Sequence, residues 1–96
     1  MIEVTTFRLA AGVDEATFRE ADSRYQTEFA YGQPGLLRRT VARGQDGEWL
    51  VVTLWRSADD ADAAGRKAAA DPGARAYDGL LDSRSVRAAR YLELDA

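Results

Sequence analysis

The run Trp49-Leu50-Val51-Val52-Thr53-Leu54-Trp55 is apolar at both odd and even positions, Thr53 apart. Successive side chains of a strand point to opposite faces of its sheet, so a strand built this way needs cover on both. Glu48 to Arg56 therefore reads as the most buried strand of the chain. Upstream, residues 2 to 9 are rich in β-branched and aromatic types with partial alternation, and Ala11-Gly12 ends them as a first strand. The period then changes. Phe18, Ala21, Tyr25 and Phe29 share one face of a helix expected from about Asp14, an acceptable cap, to about Tyr31. Gly32-Gln33-Pro34-Gly35 breaks that helix, Leu36 to Arg43 reads as a strand, and Gly44-Gln45-Asp46-Gly47 forms a tight turn. Ser57 caps a second helix, with Asp60 in its first turn, running to about Ala70. Asp71-Pro72 then starts a short third helix carrying Tyr77, Leu80 and Leu81 inward, and Val86 to Leu94 closes the chain as a strand.

This order predicts an α+β fold of ferredoxin-like βαββαβ type, one domain over residues 1–96, with a four-stranded antiparallel sheet. The strand after the hairpin lies between the first two. Helices can roof one face of that sheet and not the other. The second face is expected to meet the sheet of another copy, giving a face-to-face homodimer. The alternative is an open sheet with an exposed apolar patch, which monomers seldom carry.

Composition removes whole classes of chemistry. There is no cysteine and no histidine. That excludes disulfides, thiolate nucleophiles, Cys- or His-held metals, a haem on a proximal imidazole and Ser-His-Asp triads. With 13 basic and 16 acidic residues interspersed, the net charge is −3. No basic stripe is present to neutralise phosphates, so no nucleic-acid partner is expected. No stretch approaches the ~20 apolar residues of a membrane span, and Met1-Ile2-Glu3-Val4 lacks the basic-then-apolar order of a leader. The expectation is a cytoplasmic protein without membrane contact. Arginine outnumbers lysine twelve to one beside abundant alanine, which favours a bacterial source.

The inward positions of the second helix, Ala61, Ala64 and Ala68, are all small. Either they let the helix approach the sheet closely, or the missing volume remains as a pocket for a flat small-molecule ligand. Trp55 stands at the mouth of that region, as a ligand contact or as a core residue with its indole nitrogen bonded to solvent or backbone. A two-residue Asp46-Gly47 loop would set Arg38 opposite Trp55, with Leu36, Arg38 and Thr40 under the helices and Leu37, Arg39 and Val41 toward the partner chain. An arginine in that place pairs with a carboxylate, reaches solvent or serves an anionic ligand. Asp22 and Gln26 stand four apart beside the Phe18-Tyr25-Phe29 stripe, so both can reach the same cleft or lie on the exposed face. Tyr25, Phe29 and Tyr77 complete the candidate lining, while Ser57 is assigned to capping alone.

The strand Glu48 to Trp55 followed by Arg56-Ser57-Ala58-Asp59-Asp60-Ala61, together with the turn Gln33-Pro34-Gly35 leading into Leu36-Leu37-Arg38-Arg39, resembles the dimeric α+β barrel superfamily, and most of all its antibiotic-biosynthesis-monooxygenase-like group. The resemblance implies cofactor-independent oxygenases of aromatic polyketide-like molecules, haem-degrading oxygenases, or members without established activity. The group's tryptophan maps to Trp55. Where many members place a histidine this chain reads Ala63-Ala64-Gly65, and where haem-degrading members use an asparagine it reads Thr5-Thr6-Phe7. Two readings stay open, neither with a metal or cofactor. One is an oxygenase acting on a planar acidic phenol or quinol whose anion supplies electrons to dioxygen, with Arg38 stabilising the anion, Trp55 positioning the ring and Asp22 as base. The other is a non-catalytic homodimer that binds a small molecule or another protein. An open apolar cavity holding a tryptophan, an arginine and an acid separates the first from a cleft filled by side chains.

Overall fold

In the computed structural model, which describes residues 1–94, the chain runs β1 (Ile2–Phe7), α1 (Glu15–Glu28), a 3-10 turn (Ala30–Gly32), β2 (Leu36–Arg43), β3 (Trp49–Trp55), α2 (Ala58–Ala70), α3 (Pro72–Asp78) and β4 (Arg87–Tyr91). The sheet is antiparallel in the order β2-β3-β1-β4, which puts β3 inside, as its two-sided apolar pattern requires.

Each helix starts on an oxygen that satisfies an otherwise free amide. The Asp14 carboxylate accepts from the Thr17 N–H, Ser57 Oγ from the Asp60 N–H and Asp71 Oδ2 from the Ala74 N–H. Such caps contribute about 1 kcal/mol each. The first helix ends at Glu28, short of the expected Tyr31, because the chain tightens into the 3-10 turn. β1 stops at Phe7, and Leu9 bridges to Leu81 instead. β4 stops at Tyr91 and does not reach Leu94, since Tyr91 already pairs with Ile2 at the start of β1 and nothing extends the ladder beyond it.

Trp49, Val51, Thr53 and Trp55 are buried under the helices, while Leu50, Val52 and Leu54 on the other face are only half-buried. Cross-strand registers place Ile2 beside Leu54 and Val4 beside Val52, so the outer face is a continuous apolar strip. The core is anchored by Phe7 and Phe18, both almost fully enclosed. Burying each contributes roughly 2–3 kcal/mol.

One expectation is overturned here. The β2–β3 hairpin closes through Gln45-Asp46-Gly47, with the Gly44 N–H donating to the Glu48 carbonyl and Gly47 in the left-handed region at φ 87°. That is a three-residue loop and not a two-residue one, and an odd change in loop length moves every β2 side chain to the opposite face. Arg38 therefore pairs with Leu54 and Thr40 with Val52 on the outer face, whereas Arg39 and Val41 point under the helices opposite Thr53 and Val51. A bulge between Leu36 and Arg38 restores the expected side for Leu36 alone, which faces Trp55.

Gly35, at the entry to β2, has φ 83° and lies directly against the Asp60 side chain, which accepts hydrogen bonds from Arg56 Nε and Ser57 Oγ. A methyl group there meets both a left-handed backbone and the carboxylate. Gly35→Ala is expected to destabilise the fold by about 1–3 kcal/mol, checked by the midpoint of urea unfolding.

Candidate functional site

The helix layer is held off the sheet unevenly. At one end Phe18 packs on Phe7 with ring centroids 5.6 Å apart, on Trp49 at 4.7 Å and on Tyr77 at 5.6 Å. At the other end α2 offers Ala61 and Ala64, both buried, with Ala68 beyond. Aromatic rings set the spacing and alanines do not fill it. A cleft of about 530 Å³ remains between sheet and helices, lined by the three alanines, by Trp55 and by Tyr25, Phe29 and Tyr77. Four of the expected ligand contacts thus come together.

Arg39 enters this cleft from β2. Its NH2 donates to Asp22 Oδ1 at 2.7 Å and to the Tyr77 hydroxyl at 3.2 Å, and its NH1 donates to Asp22 Oδ2 at 3.3 Å and Gln26 Oε1 at 3.2 Å. The Tyr77 hydroxyl donates in turn to Asp22 Oδ1 at 2.9 Å, and the guanidinium lies 5.2 Å from the centre of the Tyr25 ring. Tyr25 stacks on Tyr77 with centroids 4.3 Å apart. Asp22 and Gln26 do converge, as their spacing allowed, but on Arg39 and not on Arg38. The Arg39 side chain is 4% exposed and that of Asp22 14%. A pair so enclosed stands only because both charges are hydrogen-bonded on several sides.

Burial works against the Arg39 charge, yet the hydrogen bond and charge of Asp22 more than offset it and hold its pKa above the usual arginine value. Burial pushes the Tyr77 phenol far above its ordinary range, with the Asp22 charge adding to the effect. Tyr25 is raised chiefly by burial as well. These hydroxyls are therefore neutral groups in the folded protein.

A second polar group sits on the sheet itself. Glu3 of β1 faces the cleft, its Oε1 accepting from Trp55 Nε1 at 3.3 Å and its Oε2 from Arg90 Nε at 3.0 Å. Arg90 NH1 donates to Asp62 Oδ1 at 2.7 Å, tying β4 to α2 across the mouth. The Trp55 indole thus meets a carboxylate and not solvent or backbone. Glu3, Arg39 and Arg90 are among the polar residues that sequence reasoning missed, with Gln33 and Asp78 on the walls. Arg39 was hidden by the loop length. Glu3 was findable, because it shares the parity of Phe7 on β1. Among the described residues no group of three or more His, Cys, Asp or Glu is placed to hold a metal ion, and no helix is long and apolar enough to cross a membrane.

The element order and the sheet topology define a ferredoxin-like α+β fold, shared with solved structures named as antibiotic biosynthesis monooxygenases. Among solved structures, SnoaB, a cofactor-independent oxygenase from Streptomyces nogalater, matches in variant form with TM-score 0.70 and 24% identity over 99% of this chain and 93% of that one. A candidate antibiotic biosynthesis monooxygenase from Nitrosomonas europaea matches with TM-score 0.73 and 14% identity over 97% and 88%. A Mycobacterium tuberculosis protein matches with TM-score 0.71 and 18% identity over 99% and 95%. No family model matches the sequence, and no curated protein does. These likenesses are of fold.

Arg39→Met leaves Asp22 charged and enclosed, and is expected to cost about 3–5 kcal/mol. Arg39→Met with Asp22→Asn should cost less than the two single changes added together, read from a denaturation cycle. The raised tyrosines set a pH dependence as well. Above about pH 10 the unfolded chain releases phenolic protons that folded Tyr25 and Tyr77 retain, so stability falls as pH rises through that region. Urea midpoints at about pH 8 and about pH 10.5 should show the fall, and Tyr77→Phe should reduce it.

Proposed function

We propose that the chain is a cofactor-independent, monooxygenase-like protein whose cleft takes a small planar aromatic molecule of quinol or polyketide type. The observation that carries this reading is an open apolar cleft of about 530 Å³ that holds Trp55, flat aromatic walls and buried polar groups. A filled interior would have favoured a purely structural role. A ring lying between Trp55 and the Tyr25–Phe29–Tyr77 wall is positioned by stacking and kept from bulk water. Its own anion supplies electrons to dioxygen, which is why such chemistry needs no prosthetic group. The same reading places the protein in the cytoplasm.

The outer face of the sheet is assigned to a second copy. Ile2, Val4, Leu50, Val52 and Leu54 form its centre, and the exposed side chains of Leu37 and Tyr91 flank it. Packing two such strips together removes from water a patch that an isolated small domain seldom carries.

A second reading, a ligand-binding homodimer without catalysis, is favoured by one feature. All the terminal N–H groups of Arg39 have partners on Asp22, Gln26 and Tyr77, leaving chiefly Nε–H for an incoming anion. Arg39 then shapes the wall and stabilises a substrate anion only weakly. Trp55→Ala separates the two readings. With a panel of hydroquinones and hydroxylated naphthalenes, oxygen uptake by the native protein should be abolished in the variant while sedimentation still gives a dimer. Unchanged uptake would remove Trp55 from the site, and a monomeric native protein would remove the outer-face assignment.

A further inference from the structure

Glu3 occupies a place where a carboxylate is costly. It lies on an inner strand, on the face beneath the helices, with its side chain 26% exposed. The registers put it in one line across the floor of the cleft, Arg39 beside Thr53 beside Glu3 beside Arg90. Two arginines and one acid in that row differ sharply in how they are used. Arg39 is matched by Asp22, which is hydrogen-bonded through both oxygens. Arg90 is instead shared between two carboxylates, Glu3 and Asp62, so this group carries one negative charge more than it can neutralise.

Glu3 also keeps acceptor capacity. An ionised carboxylate has about four lone-pair positions, and Trp55 and Arg90 take one on each oxygen. Gln33, on the wall of the same cleft, adds a buried Oε1 without a donor among the described residues. At the Glu3 end of the cleft the carboxylate thus offers free acceptor positions to a ligand that brings a donor.

We propose that Glu3 is a specificity-determining residue, selecting planar ligands that present a hydroxyl hydrogen to the floor of the cleft over those that present an ether or carbonyl oxygen there. This rests on the cleft being a site for a small aromatic molecule, as proposed above. A hydroxyl donates to the carboxylate in a charge-assisted hydrogen bond, whereas an ether oxygen faces it as acceptor against acceptor. The indole N–H of Trp55 on the same carboxylate makes the stacking ring and the hydroxyl site one unit.

The test is titration calorimetry of the native protein, Glu3→Gln, Glu3→Leu and Arg90→Met with 1-naphthol and with 1-methoxynaphthalene. The native protein should bind the naphthol about ten- to a hundred-fold more tightly than its ether. That preference should shrink in Glu3→Gln, which keeps the shape and loses the charge, and should nearly vanish in Glu3→Leu. Arg90→Met removes the tie to Asp62 and leaves the carboxylate, so the preference should survive. Equal binding of the two probes by the native protein, or a preference retained in both Glu3 variants, overturns the assignment of Glu3 and leaves the cleft as a site. A preference lost equally in Arg90→Met assigns it to the tie across the mouth and overturns the proposal too. No binding of either probe to the native protein overturns this inference together with the reading of the cleft.

Discussion

The aromatic contact between Phe18 of α1 and Phe7 and Trp49 of the sheet sets the distance between the two layers, and the rest of the structure follows from that spacing. Phe18 is fully buried and its rings meet at edge-on and tilted angles, the arrangement that aromatic quadrupoles favour. α2 approaches the same sheet with alanines. A helix carrying leucines there would have closed the gap, as ordinary interiors are close-packed. Large rings at one end and methyl groups at the other leave a wedge of space, and the cleft is that wedge.

The polar groups in and behind the wall of the wedge fall into two sets with different jobs, Asp22 and Gln26 lying behind Arg39 and outside the cleft lining. Arg39, Asp22, Gln26 and Tyr77 satisfy one another and bind β2 to α1 and α3. This is a buried network whose members rigidify the wall, and its charge is internally balanced. Glu3, Trp55 and Arg90 form the second set, on the sheet side and nearer the mouth, with a shared arginine and acceptor positions to spare. The first set explains how an arginine can lie under a helix layer. The second offers a ligand something that the protein has not already used.

Asp78 adds to the contrast between the walls. It lies at the end of α3 on the helix side of the cleft, and burial raises its carboxyl above the usual range. The helix side therefore presents neutral hydroxyls and a carboxyl whose pKa burial raises, while the sheet side carries the Glu3 group tied to an arginine. The two walls thus differ, a polar floor on the sheet facing a mainly aromatic ceiling under the helices.

Local patterning carried most of the architecture. The two-sided apolar run of residues 49 to 55 requires an inner strand, the 3.6-residue spacing from Phe18 to Phe29 requires a helix, and Asp14, Ser57 and Asp71 mark their caps within reach of nearby amides. Trp55, Tyr25, Phe29 and Tyr77 were legible as cleft residues because their faces are fixed by those same periods. The arginine was not. Whether Arg38 or Arg39 turns inward depends on one residue of loop length at Gly47, and a strand's period of two converts that single residue into a change of face. The sharing of Arg90 between Glu3 and Asp62 likewise joins positions far apart in the chain, which no local rule pairs. Sequence alone determined the elements, because their causes act over a few neighbouring residues. Tertiary structure alone decided which charges meet, because that depends on the register of one strand against another.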